Sequence, residues 1–231
     1  MEKESFANAG GNTSNLSSYG RQRRGMLKMF GFTAAAGSVL VACNKDGDNS
    51  NGGVDLGSGD VGILNYAYAL EQLEAAFYTQ VVLTPYMGIT ADEKSLLTDI
   101  RDHEIAHREF FKKALAGGAI QALEVNFSTI DFASRDSVLG TAKAFEDLGV
   151  SAYNGAGRLI TTPEYLVLAG KIVSVEARHA ALIRDLISNG TFADNTVVDA
   201  MGLDKSRTPS EVLGIAGAYI KTKIDASRLP S

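Results

Sequence analysis

Four stretches of this chain set apolar residues at alternating steps of three and four, and that period constrains the fold more than any other feature. The first stripe runs Leu64, Ala67, Glu71, Ala75, Tyr78, Val82. The second runs Leu97, Ile100, Glu104, His107, Phe111, Leu115. The third runs Leu139, Ala142, Glu146, Gly149, Tyr153, Ala156, Ile160, and the fourth Ala169, Ile172, Glu176, His179, Ile183, Leu186. Such steps keep one face of an α-helix turned inward. The punctuation agrees. Pro85 closes the first segment, and Thr90-Ala91-Asp92-Glu93 reads as a capping box opening the second. Thr162-Pro163 sets a cap and an N1 proline before the fourth, and Thr208-Pro209 does the same for a short fifth. No alternating strand pattern of useful length is present. The expectation is an all-α fold, a four-helix bundle whose segments of roughly 20–27 residues would be about 30–40 Å long. A short C-terminal fifth helix follows. The connection from Gly117 to Ser134 is long, as a crossover between two helix pairs requires.

The chain before this region is of another kind. Half of the 24 glycines lie at or before Gly62. A basic cluster, Arg21-Gln22-Arg23-Arg24, precedes an apolar run from Met29 to Ala42 and then Cys43. That run falls short of the roughly 20 residues a membrane-spanning helix needs. A positive region, a short apolar region and a small-residue end describe an export signal. Arg23-Arg24 with Met26-Leu27-Lys28 resembles a twin-arginine signal, Met26 standing where such signals usually have Phe. Leu40-Val41-Ala42-Cys43 resembles a lipobox, in which the cysteine is lipidated and holds the protein to membrane lipid without spanning it. Residues 44–60 are mostly Gly, Asp and Asn and read as a flexible tether. The expected organisation is an export signal over 1–43, a linker over 44–60 and a helical domain over 61–231. The expected location is the cell envelope, on the periplasmic or outer-surface side.

Charge and cysteine usage narrow the function. The chain has 22 basic and 27 acidic residues. Removing residues 1–43 takes away five basic and two acidic groups, leaving 17 against 25, a net of -8. An acidic domain argues against nucleic acid as a partner. A single cysteine excludes an intrachain disulfide and a cysteine zinc cluster.

Glutamates and histidines sit on faces that should be core. Glu104-x-x-His107 and Glu176-x-x-His179 are two copies of one motif. Glu71 and Tyr78 are seven apart, as are Glu146 and Tyr153. The chain thus repeats one helix pair at an offset of 72–75 residues. Four buried carboxylates would repel one another and be poorly solvated, at several kcal/mol each or with loss of charge. Two divalent cations would balance them. Residues three apart share a helix face, so each Glu-x-x-His can chelate one metal with both side chains. Mixed oxygen and nitrogen donors suit Fe or Mn better than structural zinc. Glu74 is a rival to Glu71 as first ligand; the Tyr spacing favours Glu71. Tyr78 and Tyr153 are expected chiefly to pack in the core, with hydrogen bonding to the ligands as the second role.

This pattern resembles the ferritin-like superfamily of di-iron and di-manganese carboxylate bundles. The resemblance covers about residues 61–190 and implies Glu71 and Glu146 as terminal carboxylates, Glu104 and Glu176 as bridging ones, and His107 and His179 as one imidazole per metal. It further implies two Fe or two Mn ions and O2 or peroxide as substrate, in a ferroxidase or peroxide-detoxifying oxidoreductase. The tail at 208–220 resembles the bacterial ferritin-like group that includes desiccation-related proteins. A lipidated stalk on every subunit argues against a closed storage cage, though smaller oligomers are compatible with it.

Two other readings compete. His103-Glu104-Ile105-Ala106-His107 also spells HExxH, in which both histidines would hold one zinc and the glutamate would be the general base of a protease. That reading leaves Glu71, Glu146, Glu176 and His179 unexplained, and it places His103 near the stripe's edge, at the surface or behind the ligands. Alternatively, the bundle holds metal without catalysis, as a structural or binding module of the envelope.

Overall fold

The computed structural model describes residues 52–231; Arg23, Arg24, Cys43 and the linker up to residue 51 lie outside them. Four long helices dominate: α1 (Gly59–Leu83), α2 (Ala91–Leu115), α3 (Arg135–Gly157) and α4 (Pro163–Ile187). A 3-10 turn follows α2 at Ala116–Gly118, and a short helix α5 spans Pro209–Ala216. The chain is therefore all-α in class and forms the expected four-helix bundle with a fifth short helix. α1 packs along α2 and α3 along α4, and contacts between α1 and α3 join the two hairpins. The core includes the stripe residues Ile100, Leu139 and Ile183 together with Leu70, Leu73, Phe77 and Phe145, which lie off the stripes.

Helix starts follow local chemistry at α2, α3 and α5, the Ser134 hydroxyl accepting from the Ser137 N–H at α3, and distant chemistry at α4. The boxes at Thr90/Glu93 and Thr208/Glu211 both form, each hydroxyl accepting from the glutamate's backbone N–H. The expected cap at Thr162 does not: its hydroxyl makes no capping bond. Asp60 at the start of α1 takes over, accepting from the backbone N–H groups of Thr161 and Thr162 at 2.8 and 2.9 Å. A carboxylate satisfies orphan donors at a helix start as well as a hydroxyl does.

The crossover is held by polar side chains of α1. The Asn65 amide donates to the Gly118 and Leu56 carbonyls, and its oxygen accepts from the Ile120 backbone N–H at 3.0 Å. Gln72 accepts from the Leu123 N–H at 2.8 Å. Two buried polar residues of α1 thus satisfy backbone groups of a long connection that, past its 3-10 turn, has no helix of its own.

The helical domain begins earlier than its apolar pattern. Val54–Asp55 (β1) pairs in parallel with Ile224–Asp225 (β2), and Leu56 is fully buried. Residues 53–60 therefore belong to the folded domain, a correction to the tether's expected end at residue 60. A two-residue strand has too little pattern to read, and its partner lies at the other end of the chain.

Residues 191–207 dock on α3. Arg184, itself buried, forms a bidentate pair with Asp147 at 2.8 and 2.7 Å and reaches Asp194 at 3.3 Å. The Arg207 guanidinium donates to Ser151 Oγ at 2.6 Å, and Asn154 donates to the Lys205 carbonyl. Gly155 makes this approach possible, since a Cβ there would lie 1.7 Å from the Arg207 carbonyl oxygen. At about 100° per residue, this face of α3 lies roughly 120° away from Glu146. The segment braces α3 from outside, on the side turned from the ligands.

Candidate metal centre

Each long helix delivers its inward glutamate to the middle of the bundle. Glu71, Glu104, Glu146 and Glu176 are all fully buried, and His179 is nearly so. His107 Nδ1 lies 2.8 Å from Glu176 Oε1, 3.5 Å from Glu71 Oε2 and 3.8 Å from Glu104 Oε2. His179 Nδ1 mirrors it, 2.8 Å from Glu104 Oε1 and 3.7 Å from both Glu146 Oε2 and Glu176 Oε2. Donor atoms of Glu71, Glu104, His107 and Glu176 lie within 4.8 Å of one another, and so do those of Glu104, Glu146, Glu176 and His179. Glu104 and Glu176 belong to both groups.

The two outer carboxylates are held from across the bundle. Tyr153 on α3 donates to Glu71 Oε1, and Tyr78 on α1 donates to Glu146 Oε1, each at 2.5 Å. The tyrosines do more than pack: each fixes the terminal carboxylate of the opposite hairpin. This revises the expectation that packing is their main role. The signal was in the sequence as the equal Glu-to-Tyr spacing, but the hydroxyl's destination depends on how α1 and α3 are set against each other.

With those two oxygens taken, eight buried atoms face inward without an aligned hydrogen-bond partner. They are Glu71 Oε2, both oxygens of Glu104, His107 Nδ1, Glu146 Oε2, both oxygens of Glu176, and His179 Nδ1. The 2.8 Å imidazole–carboxylate approaches are close but lack hydrogen-bond alignment and are electrostatic contacts. Eight such atoms left bare would be heavily destabilising. They divide into two sets of three oxygens and one nitrogen, sharing the two central glutamates. That donor set fits two Fe- or Mn-type cations, and +4 from two divalent ions would neutralise the four carboxylates.

Without cations, protons take on that task. Burial, then repulsion from Glu176, pushes Glu71 up to about 8. Burial likewise raises Glu146 well above the ordinary carboxylate value. Burial works against the charge of Glu104, but His107 and His179 outweigh it and hold it down to about 2. Burial also opposes charge on the histidines, yet the carboxylates around them raise His107 to about 12 and His179 to about 10.

Two further residues complete the surroundings. Glu74 is buried, its carboxylate 3.1 Å from where a Cβ on Gly149 would stand. Burial and the charges of Glu104, Glu176, Glu146 and Glu71 raise it well above the ordinary value. It is a fifth acid beside the centre and outside both donor groups. His103 is exposed, and its Nδ1 meets His179 Nε2 at 2.9 Å. It joins neither donor group with His107, and Glu104 lies inward between two imidazoles. The geometry therefore lacks the shared-metal arrangement that the HExxH protease reading needs.

Among known families, the model described as a ferritin-like domain matches residues 59–189, more than half of the chain. Comparison with curated proteins finds no match.

Proposed function

The chain belongs to the ferritin-like domain family, and we propose that it is an envelope-anchored oxidoreductase with a dinuclear Fe or Mn centre acting on O2 or peroxide. One observation carries this reading: eight inward N and O atoms fall into two tetrads that share Glu104 and Glu176. Glu71, Glu104, His107 and Glu176 would hold one ion, and Glu104, Glu146, Glu176 and His179 the other. When bound, such a pair supplies electrons to an oxygen species. The four carboxylates keep the charge balanced, and Tyr78 and Tyr153 keep Glu146 and Glu71 from swinging. Their burial excludes bulk water and strengthens every charge interaction at the centre. Ferroxidase or peroxide-removing activity is the concrete form proposed, and the tail at 208–220 supports a place near desiccation-related proteins.

The anchoring part of the reading rests on Arg23-Arg24 and on Leu40–Cys43. Among the described residues, no helix is long and apolar enough to cross a membrane. Cys43→Ala is expected to release the protein from the membrane fraction, and Arg23→Lys with Arg24→Lys to block export. Persistence of either property in its variant would remove that part of the proposal.

Metal analysis by mass spectrometry tests the centre, using the full chain purified without chelator beside Glu104→Ala and Glu176→Ala. About two Fe or Mn per chain, lost in both variants, is the expected result. One zinc that survives Glu176→Ala and is lost in His103→Ala would restore the HExxH reading. A chain that holds no metal would end the redox proposal.

A further inference from the structure

The two donor sets match on the inside and differ behind their imidazoles. His179 presents Nδ1 to the carboxylates, while its Nε2 lies 2.9 Å from Nδ1 of His103. The two rings are nearly parallel, with 10° between planes and centroids 5.2 Å apart. His103 is exposed, so this pair links the buried centre to the surface. In the other hairpin the counterpart of His103, 72 residues on, is Val175. A valine can accept no proton, so this position offers His107 no equivalent support.

We propose that His103 is a positioning residue that makes the two metal positions unequal, strengthening the one held by His179. An imidazole that binds a cation through Nδ1 must carry its proton on Nε2. For His179 that proton points at His103 Nδ1, which accepts it. His103 then carries its own proton on Nε2. The order of protons along the pair is thereby set: outward from His103, and from His179 into His103, with His179 Nδ1 left bare toward the carboxylates. A hydrogen bond on the outer nitrogen fixes the ligand's tautomer and ring orientation and raises its basicity, and losing it commonly weakens metal binding 10–100-fold. In sequence His103 is half of an HExxH pattern; its partner in space lies on another helix, 76 positions along.

This inference rests on the dinuclear reading, and one experiment separates the two. Stepwise Co(II) titration of the metal-free full chain is followed by calorimetry and by visible absorption of the bound ion. Unmodified protein, His103→Phe and His103→Gln are compared. Phenylalanine keeps a flat ring but has no acceptor; glutamine keeps an acceptor oxygen. The unmodified chain is expected to bind two ions. His103→Phe should weaken one of the two by about tenfold, leave the other unchanged and alter the absorption of only one ion. His103→Gln should recover most of the loss, with helicity unchanged in both variants. Two unchanged steps, or two steps weakened alike, would overturn the role of His103 while leaving the dinuclear centre standing. Failure of the unmodified chain to bind a pair of ions would overturn both.

Discussion

The hairpins α1–α2 and α3–α4 carry the same ligands but surround them differently. Glu71 corresponds to Glu146, Tyr78 to Tyr153, Glu104 to Glu176 and His107 to His179. Where the halves face each other they are reciprocal: each tyrosine holds the other half's glutamate. Away from that plane they diverge. Glu74 in the first half is Gly149 in the second, Gln80 is Gly155, and His103 is Val175. The divergences have uses. Gly149 leaves room for the Glu74 carboxylate, and Gly155 admits the Arg207 backbone. Charge balance binds both halves to one ligand set, because an unmatched buried carboxylate is expensive wherever it sits. In the next layer the tyrosines facing the opposite half are kept in both copies, while the residues turned away from it differ.

The largest expected effect breaks the equivalence between inner and outer glutamates. Glu104 belongs to both donor groups, whereas Glu71 belongs to one. Glu104→Ala should therefore abolish binding of both ions, while Glu71→Ala should retain the ion held by Glu146 and His179. Metal-to-protein ratios read this directly. Equal losses in the two variants would mean that the central carboxylates are not shared.

Next in size is the contrast between two glycines of α3. A Cβ at Gly155 would stand 1.7 Å from a backbone oxygen, while one at Gly149 would stand 3.1 Å from the flexible end of Glu74. Gly155→Ala should cost about 3 kcal/mol, because backbone must move. Gly149→Ala should cost less than about 1 kcal/mol, offset in part by the helical preference for alanine. Urea unfolding of both variants measures the difference. A Gly155→Ala protein as stable as its parent would mean that residues 191–207 are not held against α3.

The tyrosines sharpen the same comparison at smaller scale. Tyr153→Phe frees Glu71 and Tyr78→Phe frees Glu146, so each should weaken one ion by about tenfold and spare the other. Assignment is crossed: the variant in α3 affects the ion on the α1–α2 side. Calorimetric titration would detect an uncrossed pattern, which would contradict the observed pairing.

How far these features were legible in sequence follows from the range of the interactions that set them. The helices, the boxes at Thr90 and Thr208 and the repeated Glu-x-x-His depend on residues within one or two turns, so period and spacing reveal them. Other features depend on partners far away in the chain. Asp60 replaces the Thr162 cap from about 100 positions upstream, and Val54–Asp55 finds its strand partner 170 positions downstream. The hydroxyl targets of Tyr78 and Tyr153 are likewise set by the packing of α1 on α3. Glu74 is instructive because it was visible and yet ambiguous. Two glutamates three apart share one inward face of α1; the Tyr spacing favours Glu71, and the structure sets Glu71 in a donor group under Tyr153 and Glu74 beside it against Gly149.

The smallest expected effect isolates that fifth acid. In the metal-free protein Glu71, Glu74 and Glu146 are raised above their ordinary values, and His107 and His179 above theirs. The folded state then binds more protons than the unfolded chain, so metal-free stability falls as pH rises above the ordinary carboxylate range. Glu104 acts oppositely. Its folded value of about 2 gives stability that is present above 4.5 and lost as pH falls toward 2. Stability should accordingly peak in mild acid. Metal binding displaces protons from His107 and His179 and from the raised ligands Glu71 and Glu146, so ion affinity should rise with pH and binding should release about four protons near neutrality. Glu74 differs from the other raised acids in belonging to neither donor group. Glu74→Gln should therefore keep both ions yet flatten the metal-free pH profile, by at most one proton's worth, about 1.4 kcal/mol per pH unit. Thermal unfolding from pH 5 to 9, with and without Mn(II), reads both quantities. Loss of an ion in Glu74→Gln would move Glu74 into the ligand set and make the two halves unequal at the metals themselves.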